Sequence, residues 1–302
     1  MIEVRELTKH YGPRTVVNQL TFRVDPGAVT GFLGPNGSGK TTTARMILGL
    51  TDPHAGSATI NGRRYSELRR PLCEIGALIN PSAVAPSRTA IEHLRWLAAA
   101  NGISRKRAAH VLSMVGLDSA GGRRVGGFSL GMKQRLGIAA ALIGDPPVLL
   151  LDEPINGLDP EGIRWIRTFM QDLAAQGRTI FVSSHLMSEM ALTATQLVVI
   201  GQGSLIAAES VADFTERADS SVRVRSPQLE ELSRALAVEG ASLWRVDDAL
   251  DIVGVSIEQV GSIAARIGAV LYELAPQRAS LEEAFMQLTA DACEYVPVQR
   301  GA

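Results

Sequence analysis

Hydrophobic and polar residues alternate with a period of two at the start of the chain. Ile2 and Val4 alternate with Glu3 and Arg5, and Leu20, Phe22 and Val24 alternate with Thr21 and Arg23. That period belongs to half-exposed strands. Gly56 and the pair Asn61-Gly62 bracket a third short strand at 58–60, which ends in a hairpin-type turn. The first third of the chain therefore predicts an antiparallel sheet. Segments 29–33, 148–151, 180–182 and 197–200 are nearly continuous apolar runs, the pattern of strands buried on both faces. Helical periodicity separates them. It is clearest at 161–176, where Ile163, Ile166, Met170 and Leu173 share one face and Gly177 supplies the stop. Strands alternating with helices predict a parallel α/β sheet. Between Pro81 and Asp145 the pattern turns helical, with Ile91, Leu94 and Leu97 on one face and an Ala- and Ile-rich stretch at 137–143.

After about Ala218 the character changes. Strand patterns at 222–225, 242–246, 250–254 and 269–274 and helical patterns at 228–238 and 257–267 follow the order β-α-β-β-α-β, and a last helix is expected at 281–289. This is the order of a small ferredoxin-like domain. The division expected is a larger α/β domain at 1–218, with a helical subdomain near 81–145, and a small α+β domain at 219–302.

The length of 302 residues agrees with two domains at ~150 residues each. With 46% hydrophobic and 20% charged residues, the composition excludes disordered and disulfide-scaffold classes. Thirty basic residues against 31 acidic ones leave a net charge of −1, so no nucleic-acid partner is expected. The longest apolar run, 136–144, is far shorter than the ~20 residues of a spanning helix. The N-terminus lacks the basic start and apolar stretch of a signal peptide. Cys73 and Cys293 form no metal or redox motif, which fits a reduced, cytosolic setting.

Residues 34–41 read GPNGSGKT, the pattern G-x-x-x-x-G-K-[ST], after an apolar strand and at the start of a helical stretch, 42–50. Glycines at Gly34, Gly37 and Gly39, with Pro35, Asn36 and Ser38 between them, let backbone N–H groups face phosphates, and the helix N-terminus adds positive charge. Lys40 would reach the β- and γ-phosphates, and the Thr41 hydroxyl would ligate Mg²⁺, with Thr42 beside it. Asp152 and Glu153 end the run Val148-Leu149-Leu150-Leu151. A carboxylate there is a Walker-B-type Mg²⁺ ligand, and Glu153 is placed to accept a proton from an attacking water.

With these motifs, the chain resembles the ATP-binding subunits of ABC transporters over about residues 1–215. The segment FSLGM at 128–132, continuing KQRLGIAAAL, is similar to the family's signature; LDEPINGLDP at 151–160 is similar to its Walker B and D-loop. The histidine of SSHLMSE, His185, matches the switch histidine, and Tyr11 in KHYGPRTV matches the aromatic that stacks on adenine. The resemblance implies a P-loop NTPase (RecA-like) core, with ATP and Mg²⁺ as ligands. It also implies an active site completed in trans, with Ser129 and Gly131 meeting the partner subunit's ATP and Asp159 at the dimer seam. From the segment of Ser129 alone, a helix N-cap is the more natural role.

Four positions depart from the pattern: Asn80 where a Mg²⁺-sensing glutamine is usual, Leu130 and Met132 in the signature, and Ile155 for a common threonine. None removes a phosphate-loop, metal or base group, and Asn80, which keeps the amide one methylene shorter, stays a candidate Mg²⁺ residue beside Thr41 and Asp152. Within the family, the chain looks most like subunits serving drug, antibiotic-peptide or polysaccharide exporters, and its closing LEEAFMQLT is similar to the drug-export group. The expected partners are a second copy and a separate transmembrane permease, at the cytoplasmic face of the membrane. The alternative of a soluble ABC ATPase acting on ribosomes or DNA is opposed by the single GPNGSGKT and the lack of heptads or a basic block. An unrelated kinase is opposed by the FSLGMKQR and SSHLMSE segments.

Overall fold

The computed structural model describes residues 1–218, 221–277 and 279–289. These divide into two compact units, with the boundary between Ser210 and Val211. Each unit is built around its own sheet or sheets.

In the first unit, β1 (Ile2–Tyr11), β2 (Arg14–Val24) and β4 (Ala55–Ile60) form an antiparallel sheet in the order β2-β1-β4. The inward residues of β1 and β2, Ile2, Val4, Leu20, Phe22 and Val24, are buried, as the alternation requires. Strand β4 begins earlier than its sequence pattern predicts. Gly56, read there as a boundary, lies inside the strand, where the β1–β4 register slips between Arg5 and Thr8.

The second sheet has six strands in the order β5-β6-β7-β3-β8-β9. They are β3 (Val29–Leu33), β5 (Ile75–Leu78), β6 (Val148–Asp152), β7 (Thr179–Ser183), β8 (Gln196–Gly201) and β9 (Ser204–Ser210). All pairs are parallel except β8–β9. The central strands β3 and β7 are buried at every residue, which explains why they read as unbroken apolar runs. Strands β5 and β9 carried no such signal, being short or half-exposed. One core joins the two sheets and helix α1 (Lys40–Ile47), with the rings of Phe22, Phe32 and Phe181 4.9–5.7 Å apart.

Helices α2 (Ala90–Ala100), α3 (Lys106–Met114) and α4 (Leu130–Ala141) occupy the stretch expected to be helical. Helix α5 (Pro160–Ala175) is capped by Asp159, whose carboxylate accepts from the Gly162 N–H at 2.9 Å, and it buries Ile166, Met170 and Leu173. Helix α6 (Met187–Thr193) follows β7.

The second unit opens with α7 (Val211–Glu216), which the sequence pattern had placed in the first. It belongs to the second because it packs on α10 (Leu281–Leu288). Between them, β10 (Ser221–Arg225), β11 (Ser242–Val246), β12 (Ala249–Val253) and β13 (Glu273–Gln277) form an antiparallel sheet in the order β11-β12-β10-β13. Helices α8 (Leu229–Val238) and α9 (Ile257–Arg266) bury Leu232, Leu236, Val260 and Ile263 in one core with Val224 and Ile252 of that sheet. Order and connectivity are those of the ferredoxin-like motif. The last strand lies further along the chain than the apolar run at 269–274. Val270 and Tyr272 of that run are exposed, and Leu274, Ala275 and Pro276 pair with β10 instead. Strand β13 is at the sheet's edge, where a proline is tolerated. No helix of the described residues is long and apolar enough to cross a membrane.

Candidate functional site

The site lies at the C-terminal ends of β3, β6 and β7, where neighbouring parallel strands deliver their loops to one place. After Leu33 the chain passes through Gly34–Gly39 into α1. The loop is pressed between two other strands. A Cβ on Gly39, which has φ +103°, would stand 2.6 Å from the Val16 carbonyl oxygen, and one on Gly34 would stand 2.5 Å from that of Ile200. Only glycine fits that approach.

Lys40, the first residue of α1, is buried, and its Nζ donates to the carbonyls of Gly34 at 2.5 Å and Pro35 at 3.0 Å. Burial lowers its pKa, and the nearby Glu153 and Asp152 carboxylates oppose that shift. The Ser38 hydroxyl, also in the loop, is buried without a hydrogen-bond partner among the described residues. A buried orphan of this kind is suited to a ligand oxygen.

Strand β6 carries the acidic side. Asp152 is paired in register with Ser183 of β7. Its Oδ1 accepts from Ser183 Oγ at 2.5 Å and its Oδ2 from Thr41 Oγ1 at 3.1 Å, so one carboxylate ties β7 to the start of α1. The next residue, Glu153, takes a left-handed conformation with φ +52°. Its N–H donates to the Ser183 carbonyl and hydroxyl, and its carbonyl accepts from the Gln134 side-chain amide at 2.8 Å. These bonds hold the glutamate so that Oε2 lies 2.9 Å from His185 Nδ1.

Asn36, Gly37, Gly39, Lys40, Thr41, Thr42, Asp152, Glu153 and His185 thus line one cleft of about 490 Å³, together with Val16 and Asn156. Pro35 and Ser38 line a smaller cavity of about 180 Å³, which shares Val16, Asn36 and Gly37 with the cleft.

Other sequence-derived candidates lie outside the cleft. Tyr11, at the end of β1, is exposed, with Lys9 Nζ 5.5 Å from its ring centre. Asn80 does not line the cleft, and its side-chain oxygen accepts from the Ser82 N–H at 2.9 Å. Ser129 caps α4, its Oγ accepting from the Met132 N–H at 3.2 Å. Gly131 abuts Gly157, two residues before the α5 cap Asp159; a Cβ on Gly131 would meet the Gly157 carbonyl oxygen at 3.0 Å. Sequence reasoning missed Ser183, Val16, Asn156 and Gln134. Ser183 alone had a signal, a hydroxyl closing an apolar strand two residues before His185.

A family model described as ABC transporter matches residues 17–156, and one described as a domain of unknown function matches residues 220–282. The chain is similar to the uncharacterized ABC transporter ATP-binding protein YhcH of Bacillus subtilis (strain 168), at 35% identity over 98% of both chains. It is 40% identical to the bacitracin transport ATP-binding protein BcrA of Enterococcus faecalis, over 72% of this chain and 71% of that one. A solved structure titled as an ATP-binding subunit of an ABC transporter matches with a TM-score of 0.66 and 30% identity, over 72% of this chain and 92% of that one. The fold is also similar to a dimeric bacterial ABC transporter cassette, TM-score 0.64 and 24% identity, over 70% of this chain and 98% of that one.

Proposed function

We infer how the site works from the premise that this chain belongs to the ABC transporter family, as one of its ATP-binding proteins. Its activity is ATP hydrolysis coupled to transport through a membrane. The observation that carries the mechanism is the joining, in one cleft, of a buried cation on a glycine loop, a hydroxyl–carboxylate pair and a second carboxylate facing an imidazole.

ATP enters with its phosphates over residues 34–40. Loop N–H groups and the N-terminus of α1 receive the phosphate oxygens, and the Lys40 ammonium turns from the Gly34 and Pro35 carbonyls toward the β- and γ-phosphates. Thr41 Oγ1 and Asp152 Oδ2 are adjacent hard oxygen donors at the loop's mouth, a set that fits Mg²⁺ held also by phosphate oxygens. Bound there, Mg²⁺ would neutralise charge on the β- and γ-phosphates. Glu153 accepts the proton of the attacking water as its oxygen bonds to the γ-phosphorus and the bond to the β–γ bridging oxygen breaks, giving ADP and phosphate. His185 orients that carboxylate and the water.

We place Tyr11 on the adenine ring. Ser129, Gly131 and Asp159, which lie outside their own chain's cleft, serve the nucleotide of a second copy, a role that membership of the family supports. The energy is delivered to a separate transmembrane permease at the cytoplasmic face. Similarity to a bacitracin transport protein supports an exporter of antibiotic peptides or related drugs.

Replacing Glu153 with Gln tests the chemistry. ATP binding should stay within a few fold while kcat falls at least ~10²-fold. Hydrolysis at the parent rate would remove Glu153 as the base. For the cargo, co-expressing the chain with the permease that co-purifies with it should raise tolerance to a panel of peptide antibiotics. Unchanged tolerance across the panel would reject that class.

A further inference from the structure

Gln134 is polar, 1% exposed, and has no role in the mechanism above. It lies in α4, one turn beyond Leu130 and on the same face. That face runs along the turn after Asp152. At the helix start, Leu130 packs on Gly157, where an added Cβ would meet Leu130 Cδ2 at 2.3 Å. One turn later, Gln134 Nε2 donates to the Glu153 carbonyl at 2.8 Å. Glu153 is therefore gripped on both sides of its Cα. Ser183 of β7 holds its N–H, and Gln134 of α4 holds its carbonyl. The grip matters because φ +52° is a conformation that non-glycine residues take at a cost, and it persists where the surroundings impose it. It also sets the direction of the side chain, since the Glu153 Cβ leaves the backbone between the two held groups and ends at His185.

We propose that Gln134 is a positioning residue for hydrolysis: its amide holds the backbone of Glu153 so that the carboxylate faces the water site, and thereby ties the base to helix α4. The tie has a functional direction. Ser129 caps the same helix, 1.5 Å of rise per residue from Gln134. A ligand seated on the helix N-terminus bears on a rigid rod whose second turn holds the base. Occupation of the signature by a partner's nucleotide would then be felt at Glu153 through one helix, with no side chain of the signature entering the cleft.

The inference rests on Glu153 being the base, so the experiment carries that variant alongside. Full-length parent, Gln134→Met, Gln134→Glu and Glu153→Gln are compared for kcat, KM and ATP affinity. Methionine keeps the length and removes the donor. Glutamate keeps the length and sets an acceptor against the Glu153 carbonyl. Both Gln134 variants should lose roughly 10–10²-fold in kcat, the scale set by small misplacement of a reacting group, with KM and ATP affinity within about 3-fold of the parent. Parent-like kcat in both, with Glu153→Gln inactive, overturns the role of Gln134 and leaves the base in place. Parent-like hydrolysis by Glu153→Gln overturns the base, and the proposal with it. Parallel loss of ATP affinity and kcat, or failure of both Gln134 variants to fold, assigns Gln134 to structure and also overturns the proposal.

Discussion

Replacing Lys40 with Ala separates the cost of keeping a buried ammonium from its use. In the free protein Nζ donates to two loop carbonyls and is buried, and burial lowers its pKa. The charge is held there at some expense to stability. A hydrogen bond to a charged group contributes about 1.5–3 kcal/mol, and Lys40 is placed for the oxygens of two phosphates. Because it exchanges two carbonyl contacts for these, the net loss on truncation falls toward the lower end of the sum, about 3–4 kcal/mol or roughly 10²–10³-fold in Kd for ATP. Folding should respond differently. Loss of two carbonyl partners and relief of the desolvated charge oppose each other, leaving unfolding within about 1 kcal/mol of the parent. Titration of ATP-Mg²⁺ by calorimetry, with thermal unfolding on the same samples, reads both. Affinity within about 3-fold of the parent would refute the phosphate role. Lost affinity with an equal loss of stability would refute the local argument. The pH dependence has a defined sign. With its pKa lowered, Lys40 binds fewer protons folded than unfolded, so its burial penalty fades as pH rises through its folded-state pKa. ATP affinity falls over that same window, beginning below the pH at which an ordinary lysine titrates. An arginine at position 40 should flatten that decline.

Ser129→Arg should abolish hydrolysis while each chain still binds ATP through Lys40 and Thr41; loss of the N-cap alone costs only ~1 kcal/mol of stability and leaves hydrolysis largely intact. Mixing Ser129→Arg chains with Lys40→Ala chains gathers both lesions in one pocket of a mixed dimer, so hydrolysis should partly recover, and no recovery would mean that Ser129 acts in its own chain. In the second unit, Arg223 donates two hydrogen bonds to Asp251, at 2.8 and 2.6 Å, across the β10–β12 register. The Asp251 side chain is only 6% exposed, so Arg223→Ala strands a buried carboxylate and should cost about 2–3 kcal/mol, read as faster hydrogen exchange at β10 and β12 amides. Unchanged exchange there would show the pair to be dispensable.

Much of this was legible where chemistry and local pattern coincide. Residues 34–41 carry their own backbone requirements, and an unbroken apolar run ending in Asp152 marks a buried strand pointing at them. What was not legible is what depends on tertiary contact. Gln134 looks like any polar helix residue until α4 is laid beside Glu153. The left-handed turn at Glu153 has no glycine to announce it, because it is imposed by Ser183 and Gln134 rather than by local preference. Strand β13 misled by composition: the apolar residues 269–272 precede the strand, and a proline that argues against a central strand sits harmlessly at an edge. Helix α7 has no signal of its own for the unit it joins, since its partner α10 lies about seventy residues further on.

The four departures from the family pattern sort themselves by place. Ile155 is 3% exposed and fills core. The Asn80 side-chain oxygen is engaged by the Ser82 N–H, outside the cleft. Leu130 is half-exposed and leans on Gly157, and Met132 supplies the N–H that Ser129 caps. None of the four lines the cleft that holds Lys40, Thr41, Asp152, Glu153 and His185. Three of the four instead lie in the segment that resembles the signature, against the turn before α5, or just after β5. Divergence at those three positions is expected to change when hydrolysis occurs more than the bond-breaking step itself. For this chain the informative measurement is therefore the dependence of hydrolysis on a partner and a permease, more than its maximal rate.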